Sequence, residues 1–355
     1  MMSDILFPTS VVGSMPRPDF VRDLISDAIP VAETDYRTRM DAAVRYIVAL
    51  QEQAGLDVVT DGEWRRKSYI GVIADMAHGF ELSTNPADGR PWTIVVDKLS
   101  PKEPGVIADE VRFLKSITSK KVKATLPSPA LLGERMWDAQ LSSKAYPDRN
   151  DFVRACVPIL RQEMVCLRDM DVDIVQIDDP HLCLFVDPEV RAKYEDADKA
   201  AHFAVAMVNE LVSGFDDLHL AVHLCRRAGA RVRGEEQHGG GYGPIIKQLN
   251  NLRVNHLTME FTAPGANDLA VFDELRDDFE IGLGCVGVHP GEIDLPETIV
   301  KRVSLACDKI DPKRITLNPD CGFAPGSGAK VSIDETYQKL VYEVQAAEML
   351  RAKYG

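Results

Sequence analysis

The chain has 355 residues with 45% apolar content, enough for a large core and within the range of a single α/β barrel with insertions. Its net charge of −14 and the lack of a basic face argue against a nucleic-acid partner, and no stretch approaches the roughly 18 unbroken apolar residues of a membrane helix. The first residues lack the basic start and apolar block of a secretory signal, and the seven cysteines are odd in number and irregularly spaced, so a reduced, cytoplasmic address is expected.

Short β-rich runs alternate with helical patterns along the chain. The first run is Ser10-Val-Val-Gly13, followed by a helical pattern over residues 36–55 that ends on Gly55, a natural C-cap. The second run, residues 56–60, precedes a stretch that breaks the alternation. Residues 79–116 carry a turn at Asn85-Pro-Ala-Asp-Gly-Arg-Pro91 and a strand-like Trp92-Thr-Ile-Val-Val-Asp97, which reads as a β-hairpin insertion. Further runs follow at 122–126, 172–177, 218–224, 254–259, 279–284 and 314–317, with helical patterns over 151–171, 197–214 and 334–354. Eight strand candidates alternating with helices predict a single (β/α)8 TIM barrel over residues 1–355, with the hairpin between strands two and three. An open doubly wound sheet is the rival, weakened because no Gly-x-Gly-x-x-Gly follows the first strand. A second irregular stretch, 226–244, contains Gly239-Gly-Gly-Tyr-Gly243 and reads as a lid or a surface loop.

In such a barrel the chemistry sits at the carboxyl ends of the strands. Those ends carry Ser14, then Asp61, Glu63 and Arg65, then Asp178 and Asp179, His223 and Cys225, Glu260, His289, and Asp320 and Cys321. His223 and Cys225 stand at i and i+2, so on a strand both side chains point to one face. With Glu260 and Cys321 they form a dispersed His-x-Cys…Glu…Cys set of the types that Zn²⁺ takes. Taken singly, each has another role open to it: packing for the histidine and cysteines, a rim ion pair for Glu260. Two thiolates and a carboxylate would leave such a zinc electron-rich, a poor source of hydroxide but well suited to holding a substrate thiol as its nucleophilic thiolate.

The chain resembles the C-terminal catalytic barrel of cobalamin-independent methionine synthase and the stand-alone enzymes of that superfamily. The matching segments are Val11-Val-Gly-Ser-Met-Pro16, Gly55-Leu-Asp-Val-Val-Thr-Asp-Gly-Glu63, Ile174-Val-Gln-Ile-Asp-Asp-Pro180, His223-Leu-Cys225, Met259-Glu-Phe261 and Asn318-Pro-Asp-Cys-Gly-Phe323. The resemblance implies that His223, Cys225, Glu260 and Cys321 are zinc ligands. It implies that the backbone at Ser14 holds the carboxylate of homocysteine, and that Glu63 with Asp178 or Asp179 binds its ammonium. His289 falls near a family histidine that helps protonate the leaving amine, so His289 and Asp178 are the expected catalytic residues. The expected partners are a small thiol and a methyl donor, methyltetrahydrofolate or another.

Three departures bear on the substrate. The long enzymes have a second, N-terminal barrel that helps bind polyglutamylated folate. The separation of Cys225 from Glu260 is longer here, beginning with Arg226-Arg227. The acidic pair is Asp-Asp where methionine synthase has Asp-Glu. Epoxyalkane:coenzyme M transferases of the same superfamily are the alternative, with Arg226 and Arg227 suited to a sulfonate or to an ion pair with Asp178 or Glu63. A non-catalytic zinc-binding barrel is the alternative from another class.

Overall fold

The computed structural model describes residues 5–26, 31–84, 91–226, 238–262, 265, 267–324 and 331–355. Its strands are β1 (Val58–Val59), β2 (Ala77–Thr84), β3 (Pro91–Pro101), β4 (Lys121–Pro127), β5 (Ile174–Asp178), β6 (Leu220–Leu224), β7 (His256–Glu260), β8 (Glu280–Val286) and β9 (Ile315–Pro319). Seven pair in parallel in the order β1-β4-β5-β6-β7-β8-β9, each next to its successor in the chain apart from the inserted hairpin β2–β3. Parallel neighbours need crossovers, and these include the helices Val106–Lys115, Arg149–Asp169, Ala197–Val212 and Pro296–Cys307. The hairpin lies between the second and third expected strands, as its turn and strand signals indicated. No described helix is long and apolar enough to cross a membrane.

The first expected strand is not a regular strand. Residues 8–10 instead touch both edges of the sheet through single parallel bridges, Thr9 with Leu317 of β9 and Ser10 with Val58 of β1. Beyond them, side chains replace the ladder. Lys123 Nζ donates to the carbonyl of Val11, Gln176 Nε2 to that of Val12 at 3.0 Å, and Thr60 Oγ1 to that of Gly13 at 2.8 Å. Residues 11–13 thus meet the sheet through side chains and not through a continuous ladder.

The helices form where apolar residues recur at helical spacing. Glu33–Ala54 buries Met40, Val44, Ile47 and Val48 on one stripe, each worth about 1.5–3 kcal/mol relative to exposure. It ends at Gly55 with φ of 96°, the left-handed conformation a Cβ disfavours. Gln51 on the same helix is fully buried; its amide bonds both the N–H and the carbonyl of Thr60, fixing the end of the second strand segment.

The period-two alternation of the sheet separates two environments. Val175, Ile177, Val222, Leu257, Ile281 and Leu317 join the main apolar core beneath the helices. The alternate positions carry Gln176, Asp178, His223, Thr258 and Asn318, all buried. This polar face leads up to the carboxyl ends of β5, β6, β7 and β9, where the expected site lies.

Candidate metal centre and substrate site

His223 sits near the end of β6, paired in register with Asp178 at the end of β5. Its Nδ1–H donates to Asp178 Oδ1 at 3.1 Å, and Gln176 Nε2 donates to the same oxygen at 2.8 Å. The carboxylate can only accept, so the contact fixes the ring with Nδ1 as the donor. Burial works against a charged ring, but the hydrogen bond and charge of Asp178 outweigh it and raise the His223 pKa. His223 Nε2 is buried with no hydrogen-bond partner. One ligand atom each of His223, Cys225 and Cys321 lie within 4.8 Å of one another, all three residues buried.

That donor set fits a metal ion. It offers one imidazole nitrogen and two sulfurs, donors of the type zinc and related transition metals take, and with Nδ1 bound to Asp178 the unpartnered Nε2 is the nitrogen left to ligate. The fourth expected ligand, Glu260, is not in the group. Its Oε2 accepts the backbone N–H of Arg226 at 2.8 Å. Glu260 ends β7, whose pairing with β6 sets His223 opposite Thr258 and Leu224 opposite Met259, so it stands on the strand beside Cys225.

The loop that brings Cys321 to the centre is anchored on both sides. Asp320 accepts the backbone N–H groups of Phe261 and Thr262 at 3.0 and 3.1 Å, together with the Thr262 hydroxyl. Burial, with the nearby Glu260 charge, pushes its pKa up to about 7. On the other side, Ser14 accepts through its carbonyl from Phe323 at 3.0 Å and through Oγ from Ala324 at 3.3 Å. A Cβ at Gly322 would fall 2.2 Å from Ser14 Oγ, so glycine is what allows this approach. Ser14 is thus beside the Cys321 loop.

Glu63 occupies a left-handed turn, φ 58° after Gly62 at 71°, its N–H held by Asp61 Oδ1 at 2.9 Å. Thr125 Oγ1 donates to its carboxylate at 2.7 Å and Arg66 lies 3.9 Å away, yet burial raises its pKa. Arg66 is committed elsewhere, its fork spread over Glu110 and Thr125. Asp179 caps the short helix Pro180–Leu184, accepting from Leu182 at 2.9 Å. Its Oδ2 is buried without a hydrogen-bond partner, and burial raises its pKa. His289 is half-buried on the segment after β8, where its carbonyl accepts from Lys339 Nζ at 2.6 Å.

Two features escaped the sequence reading. Asp178, expected to meet substrate, also contacts the candidate ligand His223. Tyr242, from the glycine-rich run expected to be a lid or a loop, is fully buried and bonded to Glu260. A lone aromatic within Gly-Gly-Gly-Tyr-Gly was the one available signal. Arg226 is also fully buried, whereas Arg227 and the rest of the insertion through 237 lie outside the described residues.

The fold and site define a parallel α/β protein with a buried His-Cys-Cys centre at the carboxyl ends of its strands. A family model described as the catalytic domain of cobalamin-independent synthase matches residues 7–349, and the chain belongs to that family. It is 27% identical over 356 residues to a methionine synthase of Saccharolobus solfataricus, covering 98% of this chain and 95% of that one. It is 26% identical over 334 residues to a methionine synthase of Sulfolobus acidocaldarius, covering 91% and 88%. Among solved structures, it shares its fold with a B12-independent methionine synthase from a Shewanella species in complex with selenomethionine, at TM-score 0.81 and 21% identity over 98% of both chains. The chain therefore spans most of the length of these relatives.

Proposed function

We propose that this chain is a zinc-dependent methyltransferase that methylates a small thiol, homocysteine or a close analogue, from methyltetrahydrofolate or another methyl donor. The observation that carries the reading is the buried His223-Cys225-Cys321 group, with an imidazole nitrogen that has no other hydrogen-bond partner. Zn²⁺ bound there would hold the acceptor thiol deprotonated, in its nucleophilic form, near neutral pH. Family membership and the methionine synthase relatives support methyl transfer over the other outcomes of the same donor set.

In this account His223, Cys225 and Cys321 would hold the zinc, and Glu260 would serve as a fourth ligand able to yield its place to the substrate sulfur. Asp178 orients His223 by holding Nδ1, as carboxylates beside metal-bound histidines commonly do. Glu63 and Asp179 receive the substrate ammonium; both are buried carboxylates with raised pKa values, which an incoming cation would restore to the charged form. Ser14 supplies backbone polarity for the carboxylate. His289 donates the proton that a tertiary amine needs to leave. The proposed scaffold is one cytoplasmic domain over residues 1–355, a closed (β/α)8 barrel supported by the single bridges of Thr9 and Ser10 to the two edges of the sheet.

The test is methionine formation from homocysteine with each candidate donor, before and after chelation. Activity lost with the metal and restored by zinc supports the proposal. Zinc bound without turnover of any thiol would favour a non-catalytic barrel, and turnover only of coenzyme M with an epoxide would favour the epoxide-opening alternative.

A further inference from the structure

The β6–β7 ladder ends at Leu224 and Met259, one residue short of Glu260. The peptide groups of Glu260 on that side are taken by the hydroxyl of Tyr242 instead. The Glu260 N–H donates to Tyr242 Oη at 2.9 Å, and the hydroxyl donates to the Glu260 carbonyl at 3.1 Å. One phenol thus stands where the next residue of a strand would place an acceptor and a donor. Its proton and a lone pair are both engaged, so it cannot rotate without losing a bond. The ring is itself fixed: it is fully buried, the Arg226 guanidinium lies 4.2 Å above its centre, and Phe261 packs 5.8 Å away. The Glu260 carboxylate is held by a different group, the backbone N–H of Arg226 at 2.8 Å, next in the chain to Cys225.

Main chain and carboxylate of Glu260 are therefore anchored independently. We infer that Tyr242 is a positioning residue for Glu260: it locks the backbone so that only the carboxylate swings, between the metal and a resting place on the Arg226 N–H. This rests on the zinc reading above, with Glu260 as the exchangeable ligand. A carboxylate leaving a metal in a buried site needs a hydrogen-bond donor waiting, because an unpaired buried charge is costly. The Arg226 N–H is such a donor, and it lies beside the centre.

The experiment is hydrogen exchange of the zinc-loaded full chain, with and without homocysteine, joined to zinc release into a chelator for Tyr242→Phe, Glu260→Ala and the double variant. In the wild type the Glu260 amide stays protected throughout, while the Arg226 amide exchanges about tenfold more slowly once thiol is bound, as the carboxylate returns to it. Tyr242→Phe releases zinc about tenfold faster, within the range expected for groups that orient metal ligands. That effect shrinks when thiol is bound and vanishes in the Glu260→Ala background, which a merely structural role would not produce. Equal acceleration in all backgrounds, or an Arg226 amide indifferent to thiol, overturns the inference. If Tyr242→Phe does not fold, the wild-type exchange decides alone. Failure of the zinc reading looks different: wild-type protein then takes up no zinc at all.

Discussion

Asp178 Oδ1 accepts the Nδ1–H of His223 at 3.1 Å, which leaves the buried, unpartnered Nε2 as the nitrogen available to a metal at the Cys225 and Cys321 cluster. An imidazole with one nitrogen tied to a carboxylate is a fixed tautomer in a fixed orientation, and a more basic ligand. Asp178→Ala should therefore lower zinc affinity by about 10–100-fold while leaving the secondary structure intact. Competition with a chelator measures this. Unchanged affinity would mean that Asp178 does not act through the metal ligand.

Gly284 lies where β8 bulges between β7 and β9. A Cβ there would come 2.5 Å from both the Met259 carbonyl and Asp320 Oδ1. Neither can yield cheaply, because the first is backbone and the second holds Phe261 and Thr262. Gly284→Ala should cost about 1–3 kcal/mol of unfolding free energy. It should also reduce zinc occupancy, since it pushes apart the strands that carry Glu260 and Cys321. Denaturant melts with metal analysis on the same samples check both.

Glu343 is fully buried on the C-terminal helix Ile333–Tyr354, with Oε1 accepting the Ser10 N–H at 3.2 Å and Lys123 nearby. Burial pushes its carboxyl up to about 8. A folded pKa above the unfolded one means that the protonated form favours folding. Its contribution is complete below the unfolded value of about 4.5 and is lost as pH rises through about 8. Relative to the wild type, Glu343→Gln should gain on the order of a few kcal/mol in stability between pH 5 and pH 8. Thermal melts across that window test it; a constant difference between the two proteins would show that Glu343 does not titrate there.

Much of this was legible in the sequence, for physical reasons. Strands buried on both faces read as short β-branched runs, so β4 through β9 stand where those runs lie. Gly55 marked a helix end because only a left-handed residue closes it without strain. His223 and Cys225 were legible as a pair because strand period places i and i+2 together. What stayed hidden involves partners distant in sequence. Nothing local says that Asp178 meets His223, that Tyr242 substitutes for a strand residue against Glu260, or that Lys123, Gln176 and Thr60 donate to the carbonyls of residues 11–13, where the first strand was expected. Polar side chains on the inner face of a parallel sheet break patterns that apolar periodicity alone predicts.

The central claim is that a thiol substrate becomes a ligand of zinc held by His223, Cys225 and Cys321. X-ray absorption at the zinc edge, on zinc-loaded protein with and without homocysteine, tests it most directly. The account predicts two sulfur neighbours at about 2.3 Å in the thiol-free protein and three after homocysteine is added, with one oxygen neighbour lost as Glu260 withdraws. A sulfur number that stays at two on saturation with thiol would contradict it.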